Sequence, residues 1–256
     1  MACGECDSSA GTKLDSHLKN RLEAEAFFAG ESDDEQKVWL TLAGYRVRTK
    51  LKIAKIPDGQ NEFSLFMDHK HSHPDQIAGL VRSLESGEAQ KSTPEGEFSG
   101  RLAFNMKRSR LSILRAAFLM MFRNFGYSYI LNENLNRVRD QIIKPEEPII
   151  QGRFDVGIVE SIPYTNCVGI ITSPKEIRSF FVPMSFRTNS GKTVVKAVVM
   201  PGLGDEDGSI YDRLEPELRS NKNVRVNFTF IPYAPGRLSK PEFVHLSHHL
   251  WKAIAQ

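Results

Sequence analysis

Cys3-Gly4-Glu5-Cys6 places two thiols at C-x2-C spacing near the start of the chain. Two thiolates so placed sit on one tight turn and both reach a tetrahedral zinc at about 2.3 Å. Zinc takes four ligands, so the pair is half a site. His69, His71 and His73 recur at two-residue steps. On an extended segment all three imidazoles face one side, a geometry that holds zinc or nickel. His245 and His249 lie four residues apart, without the glutamate that completes H-E-x-x-H. The competing reading of each group is a set of solvated surface side chains.

A different chemistry is written in the cations. Arg46, Arg48, Lys50 and Lys52 alternate with Val47, Thr49, Leu51 and Ile53, and no acid lies anywhere over 38–57. In a strand this alternation puts four cations on one face and the apolar set on the other. Such a ribbon can lie along phosphates, where lysine and arginine supply sequence-independent affinity. A second acid-free stretch, 98–132, carries Lys107, Arg108 and Arg110 at the start of an apolar helix, an end that favours anions. The alternative is a solvated antiparallel face for the first set and packing arginines for the second.

The elements that must hold these residues follow from periodicity. Leu14, Leu18, Leu22 and Ala26 recur at four-residue steps and give a helix over 12–28, with Thr12 and Asp15 in a capping-box pattern. Strands are expected at 38–43, 45–56 and 63–67, and a helix from Pro74 to near Gly87. Residues 88–97 read as a linker, 98–106 as a strand, 109–125 as a buried helix and 135–143 as a shorter one. Beyond Pro148 the texture turns to β-branched and aromatic runs at 154–160, 167–172, 180–185, 193–199 and 223–231. A short helix at 209–218 interrupts them and a helix at 241–255 closes the chain. Helices and strands are segregated rather than alternating, which is α+β. The expected segments are 1–30, 31–147 and 148–256.

Composition narrows the function classes. Lysine and arginine number 34 against 31 acids, a net charge of +3, so only the distribution of charge can imply a partner. The longest apolar run, around 113–122, is interrupted by Arg115 and falls short of the ~20 residues of a spanning helix. No membrane partner is expected. Three cysteines make no disulfide framework, which points to a reducing, cytoplasmic compartment. Cys167 sits in an apolar strand and reads as a core residue. There is no P-loop, no G-x-G-x-x-G after a strand and no G-x-S-x-G elbow.

Cys3-x2-Cys6, followed by Gly11, Lys13, Asp15 and His17 on a helix, resembles the second zinc knuckle of four-cysteine HNH endonucleases. The stretches 115–127 and 138–142 are similar to the region downstream of that knuckle in bacterial members. The resemblance covers 3–28 and, more loosely, 98–145. It implies part of a ββα-metal unit at 1–30, followed by mixed helices and antiparallel strands. It also implies a zinc at Cys3 and Cys6, a DNA partner and metal-dependent hydrolysis of DNA. Asp15 and His17 stand where the family's helix supplies a divalent-metal ligand.

The chain departs from the pattern. The family's first C-x2-C and its catalytic histidine, both on a hairpin before the knuckle, are not in this sequence, and Asp7 stands where the family has Asn. The chain therefore reads as a truncated or degenerate member, with a homodimer mate or a preceding segment completing the zinc site. Two other readings stand beside it: a non-catalytic protein-interaction or regulatory domain, and a metal hydrolase built on His69, His71 and His73. Without the histidine that activates water, this polypeptide alone is expected not to nick supercoiled plasmid in magnesium, manganese or zinc. Reproducible nicking abolished by Asp15→Ala would overturn that expectation.

Overall fold

The computed structural model describes residues 14–29, 35–55, 61–89, 99–102, 104–156, 165–203, 209–220 and 226–231. Cys3, Cys6, the linker at 88–97 beyond Ala89, and the closing helix with His245 and His249 lie outside them. The architecture is α+β, with helices and two antiparallel sheets. The described residues fall into two compact units. One draws on Lys19–Met106 and Arg187–Lys192, the other on Met1–Leu18, Lys107–Phe186 and Thr193–Gln256.

Helix α1 (Ser16–Phe28) buries Leu18, Leu22 and Ala26 as the four-residue steps require, and from Lys19 onward it belongs to the four-stranded unit. Strand β1 (Gln36–Leu42) turns at Ala43 and Gly44 into β2 (Tyr45–Lys55). Both turn residues have positive φ, 50° and 79°, as two-residue hairpin turns demand. The turn sets Leu42 opposite Tyr45 and every later pair back to Gln36 opposite Leu51. Strands β3 (Asn61–Met67) and β4 (Ser99–Leu102) flank the hairpin, in the order β3-β2-β1-β4.

Helix α2 (Pro74–Glu85) covers one face of this sheet. His73 caps it in extended backbone, its ring nitrogen accepting from the Asp75 N–H at 3.4 Å, and Pro74 takes the first position. Ile77 and Leu80 are buried against Leu40 and Val47, with Leu42, Tyr45 and Met67 around them. Phe27 of α1 packs beside them on Val38 and Leu51. Each such side chain contributes roughly 1.5–3 kcal/mol of burial.

The five-stranded unit is built on β5 (Asp155–Val156), β6 (Val168–Ser173), β7 (Phe180–Arg187), β8 (Thr193–Met200) and β9 (Asn227–Ile231), in the order β5-β8-β7-β6-β9. Residues 180–184 and 197–200 are buried without alternation, so both faces of the sheet are covered there. Its helices are α3 (Met106–Phe125), α4 (Tyr127–Ile130), α5 (Asn136–Ile143) and α6 (Ile210–Ser220). Phe125, Tyr129 and Phe180 form one aromatic cluster, with centroids 4.8–5.6 Å apart. The Tyr129 hydroxyl donates to the Pro201 carbonyl at 2.7 Å. Gln141 uses its whole amide, donating to the Lys144 and Glu147 carbonyls and accepting from the Ile149 and Ile150 N–H groups.

The expected strand at 98–106 is shorter. It stops at Leu102, and the helix expected from 109 starts at Met106. Its first turn is held there because Lys107 and Arg108 both reach Glu146. The run expected at 154–160 is strand only at Asp155–Val156 among the described residues. Helix α4 and the short 3-10 turns at Glu133–Leu135 and Lys175–Ile177 carry no pattern long enough to be seen in the sequence.

Tyr129→Phe leaves the buried Pro201 carbonyl without its donor, and unfolding measurements should show a loss of about 1–2 kcal/mol. Gly152→Ala should cost about 1–3 kcal/mol, because a Cβ there would lie 2.5 Å from the Tyr211 carbonyl oxygen.

Candidate nucleic-acid interface

The pairing of β1 with β2 decides which side chains share a face. Lys37 stands opposite Lys50, Trp39 opposite Arg48 and Thr41 opposite Arg46. Pairing with β3 adds Phe66 opposite Lys50 and Ser64 opposite Lys52. Val38, Leu40, Val47, Thr49 and Leu51 are buried on the other face, against α2 and Phe27. The alternation read in the sequence therefore holds. Lys37, Thr41, Arg46 and Lys52 are exposed, Arg48 and Lys50 half-buried, and Phe66 is 50% exposed.

The far end of β2 runs past the end of β3, and its edge is closed by side chains. The Arg46 N–H donates to Gln76 Oε1 at 2.9 Å, and the Arg48 N–H to Ser72 Oγ at 2.7 Å. The Asp68 N–H donates to the Arg48 carbonyl at 2.8 Å. An edge so satisfied does not recruit another strand, and its side chains are left to project from a fixed backbone.

On that face Lys37 and Lys50 lie directly opposite, an arrangement that repels. Glu35 offsets part of this through an ion pair with Lys50 at 2.8 Å. The hydrogen bond that Lys50 donates to Glu35, the charge of Glu35 and the charge of Asp68 hold the Lys50 ammonium above its ordinary pKa, against some loss of solvation. Among the described residues Lys37, Arg46, Arg48 and Lys52 make no ion pair. The Arg46 guanidinium stands 4.8 Å from the centroid of the Trp39 ring, the diagonal neighbour in the ladder. The Nε of Arg48 is buried with no hydrogen-bond partner among the described residues.

The second cationic set is differently placed. Arg108 bonds the Glu146 carboxylate at 2.7 Å, and Lys107 donates to the Glu146 carbonyl at 2.7 Å. Arg110 bonds Asp155 at 2.6 Å and lies 4.9 Å from the Phe154 ring centroid. At the start of α3, then, Lys107, Arg108 and Arg110 each meet an oxygen of the chain itself, from Glu146 or Asp155.

Asp15 accepts from Ser112 Oγ at 2.6 Å and from Arg115 at 2.9 Å. Asp15 precedes α1 and belongs to the same unit as these two α3 side chains. His17 is half-buried, and burial together with the Arg108 charge lowers its pKa.

The histidine triplet does not lie on an extended segment, because His69, Lys70 and His71 form a turn. His71 Nδ1 meets the Asp68 carboxylate at 2.9 Å, while His73 serves as the cap of α2. Burial works to raise the Asp68 pKa. The His71 hydrogen bond and charge, the Lys70 N–H and Arg48 outweigh it and hold the carboxyl below its ordinary value. Among the described residues no group of three or more His, Cys, Asp or Glu side chains is placed to hold a metal ion.

Sequence reasoning missed Lys37, Trp39 and Phe66 as members of the face. For the first two the signal was present, since a two-residue turn at 43–44 pairs Trp39 with Arg48 by counting outward. Phe66 had no such marker, because the chain between β2 and β3 hides their register.

Fold and face together define an α+β protein with a cationic, aromatic-bearing sheet surface. No protein-family model, curated protein or solved structure matches the chain significantly. Among the described residues no helix is long and apolar enough to cross a membrane.

Cys167 is buried, and loss of solvation pushes its thiol up to about 11 from 9.0. A raised acid pKa adds stability that is full below pH 9.0 and is lost as pH rises through about 11. Cys167→Ala should flatten the stability profile over that window. The variant should leave unchanged the number of thiols that a thiol reagent titrates rapidly in the native protein.

Proposed function

We propose that this protein binds nucleic acid through the cationic face of its four-stranded sheet. The observation that carries the reading is the row of Lys37, Arg46, Arg48, Lys50 and Lys52 on one solvent-facing surface, backed by a packed helix layer. Among the residues whose side chains are described, five cations stand against Glu35 and Asp68 on this surface, in a chain whose overall charge is only +3. Neutralising phosphates releases condensed counterions, and that release drives association without reading sequence.

The reading keeps the nucleic-acid half of the HNH resemblance and assigns no hydrolytic step. The carboxylate of Asp15 is spent on Arg115 and Ser112, which supports a structural rather than a metal-binding part for it.

Anisotropy of a labelled DNA oligonucleotide tests the proposal. Binding should appear at low salt and weaken steeply, with log K against log salt falling at a slope of about −3 to −4 if four phosphates are engaged. Lys52→Ala should make the slope shallower by about 0.7–0.9 and weaken all sequences alike. Absence of any salt-sensitive binding at low ionic strength would sink the reading.

A further inference from the structure

The geometry points to single-stranded nucleic acid as the occupant of this face, with Phe66 and Trp39 as platforms for unstacked bases. The inference rests on the phosphate-binding reading above and adds a ligand form to it.

Phe66 is half-exposed on the strand face that also carries Ser64, Thr41 and the lysines and arginines of β1 and β2. A lone exposed aromatic needs no explanation. Here two aromatic rings share one face with five cations. Phe66 stands directly beside Lys50, and Trp39 directly beside Arg48. Each ring therefore has a cation in the adjacent strand, placed to hold the phosphate of a nucleotide whose base lies on the ring. Arg46, over the Trp39 ring at 4.8 Å, offers a planar cation on which a base can also stack.

Spacing selects the strand form. Trp39 and Phe66 are two strands apart and offset by two residues along the ladder, which sets their backbones about 12 Å from each other. Adjacent bases in a duplex strand rise by about 3.4 Å, and both faces of each are taken by neighbours. A duplex can lay phosphates on the cations but has no free base face to offer the rings. An extended single strand splays its bases and reaches both platforms while its backbone follows the cationic row.

The test compares a mixed-sequence DNA oligonucleotide of about 15 nucleotides, single-stranded and as its duplex, on the full chain. The background is Trp251→Phe, so that Trp39 is the one remaining tryptophan of the two in the sequence. Single strands should quench Trp39 emission and duplex should not. Phe66→Ala should weaken single-strand binding about tenfold, with duplex binding and far-UV dichroism unchanged, and Phe66→Tyr should retain single-strand affinity. If Phe66→Ala leaves single-strand affinity as it was while salt-sensitive binding persists, the stacking inference fails and the phosphate reading survives. Equal loss for single strand and duplex also removes the inference. If neither form binds the parent chain at low salt, both readings fall together.

Discussion

The two-residue turn at Ala43 and Gly44 is the constraint from which the functional surface follows. A hairpin so short permits one register, and register assigns every side chain of β1 and β2 to a face. A slip by one residue would turn Arg46, Arg48, Lys50 and Lys52 toward α2 and expose Val47 and Leu51. Burying four cations without partners is far costlier than any gain from alternative pairing. The apolar contacts of Leu40 and Val47 with Ile77 and Leu80 enforce the same register from below. Packing on one face and charge on the other are thus two consequences of a single turn.

Cations elsewhere show how the fold separates structural from available charge. Arg108, Arg110 and Arg115 sit on α3 with nearby acids from distant parts of the chain: Glu146, Asp155 and Asp15. Arg137 of α5 does the same with Asp212 of α6, whose pKa is lowered chiefly by that hydrogen bond. These pairs are partly solvent-exposed and individually modest in stability. Their effect is on what remains: the sheet face of the four-stranded unit keeps its cations largely unmatched.

Much of the fold was legible in local pattern. The leucine row of α1, the Pro74 start of α2, the long α3 and the strand runs at Val168–Ser173, Phe180–Arg187 and Thr193–Met200 all follow from periodicity and punctuation. Short elements were not legible, because four residues at Tyr127–Ile130 cannot display a period. The histidine spacing was visible but its meaning was not. Asp68 bends the chain by accepting from the Lys70 N–H and the His71 ring, so an extended ladder of imidazoles never forms. The helix-start cations were visible too, but Glu146 lies 38 residues beyond Arg108, and nothing local links them.

Sequence alone determined the α+β character and the alternation that separates Arg46, Arg48, Lys50 and Lys52 from Val47, Thr49 and Leu51. Those properties are set by steric and hydrogen-bonding rules acting over a few residues. Tertiary structure decided which strands lie side by side, as in β5-β8-β7-β6-β9. It also decided that Phe66 stands beside Lys50, and which arginines meet acids. These outcomes join residues far apart in the chain, and their energies exist only once the backbone has closed the distance between them.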